Sequence, residues 1–269
     1  MRIEETKCTD TNKNYRLVLI KGYANLKREY GWILIVYIVM QLSSLAGVPL
    51  LAILFAKTGS SLAEAQMNAL NYWLMFSFIS AFLIILFLLR REMSVSFNDR
   101  KAADLPETIG WAIGGIFLAL FAQAAAASIE RMLGIEMGSE NTQNILRMIE
   151  NFPAVIFISS IIGPILEEIV FRKVIFGSLY KRFNFFISAL LSSVIFAAAH
   201  MEFEHILLYS AIGFTFAFLY IQTKRIIVPI FAHVAMNTLV VLVQTVFRDD
   251  LERFQRQAEQ MQNFIGGFL

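Results

Sequence analysis

Residues 163–172 read Gly163-Pro164-Ile165-Leu166-Glu167-Glu168-Ile169-Val170-Phe171-Arg172. They lie inside an apolar run that extends from about 153 to 180. The composition around this run says which solvent it faces. Of 269 residues, 57% are hydrophobic and 16% charged, and the mean hydropathy is +0.61. A soluble domain carries about 25% charged residues. These values exclude disorder, a coiled coil and a disulfide scaffold, and they leave more apolar surface than a water-soluble globule could hide. The chain reads as an integral, multi-pass membrane protein. Its fold class is an all-α polytopic bundle of about seven to eight transmembrane helices, because helices satisfy their own backbone in lipid.

Working outward, apolar runs occur at about 32–56, 70–89, 109–129, 153–180, 184–201, 205–222 and 226–247. The organisation expected is a cytoplasmic tail with an interfacial helix at 1–31, N-terminal transmembrane helices at 32–152, a second membrane-embedded core at 153–247 and an amphipathic C-terminal tail at 248–269. Cations cluster before the first run, after the second (Arg90, Arg91, Arg100, Lys101), after the fourth and between the last two (Lys224, Arg225). That alternation predicts a cytoplasmic N-terminus in a cell membrane and, with seven spans, an outer C-terminus. The first run starts too late for a cleaved signal peptide and reads as an uncleaved anchor. Leu19, Tyr23, Leu26 and Tyr30 share one helical face, which suits a helix lying on the membrane surface. Phe247, Leu251, Phe254, Ala258, Met261 and Ile265 form a second stripe. Gly110 and Gly114 are spaced for close helix packing, expected within the chain. Cys8 is the lone cysteine, so neither an intrachain disulfide nor a thiolate metal cluster can form. The net charge of +2 gives no reason to expect a nucleic-acid partner.

Polar residues within a span are costly and mark function by default. Glu168 and Arg172 are four apart, so they share a face and can pair. Glu167 points about 100° away and is left to its environment, where burial should raise its pKa towards that of a general base. Pro164 removes a backbone donor and is expected to kink the helix just before the pair. The fifth run ends Phe196-Ala197-Ala198-Ala199-His200. The seventh holds His233 and Asn237, four apart on one face. Counting about 1.5 Å per residue from the turns near Arg182 and Lys224 places Glu167, His200 and Asn237 within about 3–8 Å in height, with His233 about a turn lower. His205 reads as interfacial or supporting.

Glu167-Glu168-x-x-x-Arg172, Phe196-x-x-x-His200 and His233-x-x-x-Asn237 resemble the three ordered motifs of the CPBP family, the CAAX-prenyl-protease and bacteriocin-processing membrane proteins also called the Abi family. The resemblance covers about 153–245. It implies a bundle of about eight helices, one more than the runs supply. It also implies that Glu167 and His200 activate a water, that His233 and Asn237 stabilise the oxyanion, and that Glu168 and Arg172 hold the helix as structural support. The family has been classed as metalloproteases, and a metal-free glutamate mechanism has also been proposed for it.

The residues suit either chemistry. Glu167, His200 and His233 could supply three ligands to Zn with water in the fourth place. Equally, glutamate and histidine could share base duty while histidine and asparagine donate to the oxyanion. The metal-free version is favoured, since three mixed ligands leave no separate base. The function expected is an intramembrane endopeptidase whose partners are the lipid bilayer and a membrane-associated protein or peptide substrate. The alternatives are a non-catalytic bacteriocin-immunity or scaffold protein on the same fold, and a transporter relaying protons through Glu167 and His200. The absence of repeated halves weighs against the transporter.

Overall fold

The computed structural model describes the backbone of residues 5–96, 102–136 and 138–247 with Arg253 and Gln257, and the side chains from 28 to 90 and from 102 onward within that set. Cys8, most of the proposed interfacial face and the stripe beyond Phe247 lie outside the described residues or side chains.

Eight helices form the described chain: α1 (Glu5–Lys57), α2 (Leu62–Ser96), α3 (Leu105–Met132), α4 (Glu140–Asn151), α5 (155–179), α6 (Phe185–Ala199), α7 (Ile206–Thr223) and α8 (Ile227–Val246). A 3₁₀ turn, Phe203–His205, precedes α7. Local chemistry explains several of the starts. The Ser61 N–H and hydroxyl both donate to the Glu64 carboxylate at the start of α2, a reciprocal cap. Asp104 caps α3, with Pro106 in its first turn, and Asn184 caps α6. Orphan N–H groups are thereby satisfied at three of the hydrophobic helices.

Five helical stretches are long and apolar enough to cross a membrane: Arg28–Lys57, Leu62–Arg90, Leu105–Met132, Phe203–Thr223 and Ile227–Val246. The sequence showed seven apolar runs, and the other two differ in kind, one being short and one long but not uniform. The helix α6 has 15 residues, about 22 Å, against a hydrocarbon core of about 30 Å. The helix α5 is not a uniform α-helix. Its turns widen to π geometry over Ile158–Ile162 and again over Glu168–Phe176. The kink expected at Pro164 is therefore a widened turn. Pro164 cannot donate, and the Gly163 N–H reaches back five residues to Ile158 O, a π-type bond of the kind frequent at functional sites. One element was missed altogether. Residues 130–150 read as a glutamate-bearing connection, but Ser139 caps α4 within it.

Two apolar clusters organise the bundle. One joins α1, α2 and α5 through Ile33, Tyr37, Ile85, Leu166 and Phe171, and reaches Phe196 of α6. The other joins α3, α7 and α8 through Ala119, Phe216, Leu219, Ala232 and Met236. The close approach of α3 is made at Gly115, where a Cβ would lie 2.7 Å from Leu219 Cδ1 and 3.4 Å from the Ala232 Cβ. Gly110 and Gly114 face open space, so the spacing that drew attention in the sequence is not where α3 packs. Phe196 belongs to the first cluster and Phe216 to the second, and the charged residues lie between them.

Candidate active site

The centre is built on α5. Glu168 and Arg172 are 0% and 1% exposed, and Glu168 Oε2 lies 3.1 Å from Arg172 Nε. The i,i+4 pairing expected from the sequence is present. Among the described residues, no hydrogen-bond acceptor serves the outer nitrogens of Arg172. The guanidinium lies instead over the rings of Phe196 and Phe216, at 4.3 and 5.3 Å from their centroids, where ring quadrupoles offset part of the lost hydration.

His233 enters from α8 and stacks on Phe216, with centroids 4.7 Å apart. Its Nδ1 is 2.8 Å from Glu168 Oε1 and its Nε2 is 3.7 Å from Glu167 Oε2. One imidazole thus stands between the two adjacent carboxylates. The sequence grouped His233 with Glu167 and with Asn237, but gave no sign of its bond to Glu168. Height counting had placed His233 about a turn too low, because it assumed uniform α-turns in α5. Burial separates the glutamates. Glu168 is sealed, whereas the Glu167 side chain keeps 21% exposure.

His200 closes α6. Its Nδ1 is 2.9 Å from Phe196 O. A carbonyl can only accept, so Nδ1 carries a proton and Nε2 of the neutral ring keeps its lone pair. The ring stacks on Tyr209, with centroids 4.1 Å apart and planes 24° apart. Asn237 donates from Nδ2 to Ser159 O at 3.3 Å. That carbonyl has lost its helical partners: the Gly163 N–H bonds Ile158 O, and the residue five ahead is Pro164. The Asn237 amide therefore satisfies the acceptor that proline and the π-turn leave bare, and one Nδ2 hydrogen remains to donate.

His200, His233 and Asn237 line one cavity of about 960 Å³, together with Ser159, Phe196, Tyr209, Met236 and much of α4. Three of the four sequence-predicted catalytic residues thus share a cavity wall. Glu167 is not in that wall and connects to it through His233. The remaining wall, α4, was missed, although Ile145, Met148, Ile149 and Phe152 lie at helical spacing and Ser139 precedes them as a cap. His205 is supporting, as expected. Its Nδ1 is 2.9 Å from Glu130 Oε2 and its Nε2 3.1 Å from Gly138 O, and Glu130 also accepts the Leu208 N–H. Glu202 accepts from the Asn141 N–H, from the Tyr209 hydroxyl and from the Ser139 hydroxyl. Burial alone would push the Glu202 carboxyl up, but these donors outweigh it and hold the group below the ordinary carboxylate range.

Among the described residues, no three His, Cys, Asp or Glu side chains converge as a metal-binding group. His233 gives one nitrogen to Glu168, and His200 gives Nδ1 to a main-chain carbonyl. Both histidines keep Nε2 turned from these Nδ1 partners, an orientation that metal-binding histidines share, and no step below runs through a metal.

Two adjacent glutamates, one sealed with arginine and one partly exposed, thus lie with two histidines from other helices in an apolar helical bundle, which is compatible with a membrane-embedded peptidase. Comparison with known proteins says the same. Residues 149–239 match the Type II CAAX prenyl endopeptidase Rce1-like family. The chain is 47% identical over 246 residues to "Putative membrane peptidase YdiL" of Bacillus subtilis, covering 91% of this chain and all of that protein. It is 38% identical over 164 residues to the membrane-embedded CAAX protease MroQ of Staphylococcus aureus, covering 58% of this chain and 65% of that one. The UPF0177 protein YxdF of Lactococcus lactis is 27% identical over 158 residues, covering 58% of this chain and 87% of that protein. No solved structure matches significantly. The chain belongs to the Rce1-like CAAX protease family and is an integral membrane protease.

Proposed function

We propose that the protein is an endopeptidase that hydrolyses a peptide bond in a membrane-associated protein or peptide, using water activated by Glu167 and His200. The observation that carries this reading is His233 standing between Glu167 and Glu168, because it divides two neighbouring carboxylates into different tasks. Glu168, sealed with Arg172 and bonded to His233 Nδ1, holds the helices and orients the imidazole. Glu167 is the carboxylate left partly exposed, and the reading gives it the task of meeting water.

In the proposed step, Glu167 and His200 Nε2 share the removal of a water proton, and the oxygen adds to the scissile carbonyl carbon. The carbonyl oxygen becomes an oxyanion. It accepts hydrogen bonds from the free Asn237 Nδ2–H and from His233, which in its imidazolium form donates Nδ1–H to Glu168 and presents Nε2–H. Collapse of the tetrahedral species breaks the C–N bond, and the proton taken from water passes to the leaving amine. Positioned donors in a site shielded from water are worth more than in solution.

The test is Glu167→Gln in detergent-purified protein. Glutamine keeps the shape but cannot take the proton, so hydrolysis should fall about 10²–10⁴-fold while thermal unfolding is unchanged and substrate still binds. His200→Ala should behave similarly. Parental cleavage rates in Glu167→Gln would overturn the assignment. A cellular effect that survives both changes would favour a scaffold or immunity role on the same fold.

A further inference from the structure

One carboxylate near the cavity is absent from the chemistry just described. Glu202 lies two residues beyond His200, in the turn between α6 and the 3₁₀ segment. The chain is brought there by Met201, whose φ of 59° is left-handed, a conformation that side chains with a Cβ seldom adopt. That turn aims Glu202 at two structures at once. Towards α4, its carboxylate accepts the Asn141 N–H at 2.6 Å and the Ser139 hydroxyl at 2.8 Å, so it sits on the helix N-terminus where the backbone dipole favours a negative charge. Towards α7, it accepts the Tyr209 hydroxyl at 2.6 Å. The Tyr209 ring is the surface on which His200 stacks. The Ser139 hydroxyl is simultaneously the α4 cap, accepting the Thr142 N–H. His205 also holds this end through Gly138 O, but Glu202 alone joins it to the Tyr209 ring by a charged group, and α4 forms much of one wall of the cavity.

We propose that Glu202 is a positioning residue that clasps the α4 wall over the cavity and, through Tyr209, fixes the orientation of the His200 ring, so that wall closure and base alignment depend on one carboxylate. The inference rests on the catalytic reading of His200 only in its second half. When α4 is seated, the carboxylate is fully engaged and Tyr209 is held at the angle that supports His200. When α4 lifts, Glu202 loses the Asn141 and Ser139 donors and is free to rotate, and Tyr209 loses its fixed acceptor. A peptide entering along α4 would therefore meet an unaligned base until the wall closes behind it. Such coupling would limit hydrolysis to substrates that allow α4 to seat.

The test uses the full chain with Cys8→Ser and spin labels on cysteines introduced at exposed Asn144 of α4 and Leu191 of α6. Glu202→Ala should broaden the distance distribution between the labels, lower kcat about tenfold and raise KM. Ser139→Ala should raise KM with little change in kcat. Tyr209→Phe, which keeps the stacking ring and loses only the hydroxyl, should lower kcat about threefold and leave the distances sharp. Tyr209→Leu should lower kcat about 30-fold. Glu202→Asp should recover part of both parameters. An unbroadened distribution in Glu202→Ala overturns the clasp. A Glu202→Ala protein that accumulates poorly, yet whose folded fraction has parental kcat and KM, overturns it too, since that is the signature of a purely structural contact. Full hydrolysis by His200→Ala would remove the catalytic reading of that residue and the second half of the proposal with it. The distance measurement requires no turnover and would still decide the first half.

Discussion

The α1–α2 hairpin and the α5–α8 core are built from the same apolar residues and are held together differently. In the hairpin, shape does the work. Gly47 lets the Trp73 ring approach so closely that a Cβ would lie 2.0 Å from it, and the indole N–H donates to Ser43 Oγ at 3.0 Å. Asn71 is the only fully buried polar side chain in these two helices among the described residues. In the core, Glu168, Arg172 and His233 are buried together, and aromatic rings cover the charge. In lipid, a packed apolar contact and a satisfied polar pair are both tolerable, but they fail differently. Truncating the first loses some van der Waals contact. Truncating the second strands a charge.

The largest effect should come from breaking that charged unit. Arg172→Ala leaves Glu168 in an apolar interior with only His233 as partner, and removing one member of a buried pair costs about 3–5 kcal/mol. Glu168→Ala strands Arg172 to a similar degree. Both should lower the unfolding temperature in detergent and reduce accumulation in the membrane. Parental thermal stability combined with selective loss of hydrolysis in Arg172→Ala would show that the arginine serves chemistry rather than architecture.

Asn237 should give the next largest effect and lies on the boundary between the two modes. If its free amide hydrogen serves the oxyanion, Asn237→Ala should lower kcat by about 10²–10³-fold. Its other hydrogen bonds Ser159 O, so the same change should raise amide exchange around 158–163, where α5 is already widened. Reduced kcat with unchanged exchange would assign Asn237 to chemistry alone. Faster exchange with parental kcat would assign it to the helix.

A steric failure should be smaller and confined to the hairpin. Gly47→Ala must displace the Trp73 ring, and overpacking of this kind costs about 1–3 kcal/mol. Gly114→Ala is the control on α3, because nothing lies within 4 Å of its added methyl. It should be neutral, or stabilising by about 0.5–1 kcal/mol through helix propensity. Thermal unfolding of the two side by side measures the difference. Equal effects would mean that the close approach at Gly47 is not what holds the hairpin.

These contrasts also show what could be read from the sequence. The Glu168–Arg172 pair was legible because four-residue spacing is a local property, and the π-turns of α5 still keep those two side chains in reach. The link from His233 to Glu168 was not, because it depends on the phase of α5 after Pro164, and the widened turns shift that phase. The helix α4 was hidden for a different reason. Its 12 residues are too few and too polar to register as a span, and only the Ser139 cap and the spacing of Ile145, Met148 and Ile149 betray it. The fold class needed composition alone. Glu202 and Tyr209 carried no signal, since one lies in a turn and the other on a helix, and only tertiary structure brings them to His200.

The smallest expected effect concerns the hairpin's interhelical hydrogen bond and sets a floor for the comparison. Ser43 Oγ donates to Met40 O of its own helix at 2.7 Å, which leaves an oxygen lone pair for the Trp73 N–H. Ser43→Ala removes that acceptor but creates no charge and only a small void. Bonds of this kind between membrane helices are worth about 0.6 kcal/mol on average, because the separated helices find other partners. The indole would remain seated against Gly47, so the packing contribution should survive. Unfolding followed by tryptophan fluorescence should show a shift well below that of Gly47→Ala. If Ser43→Ala instead destabilised the protein as much as Arg172→Ala, the hairpin too would depend on its polar contact, and the distinction between a region held by shape and a region held by charge would fail.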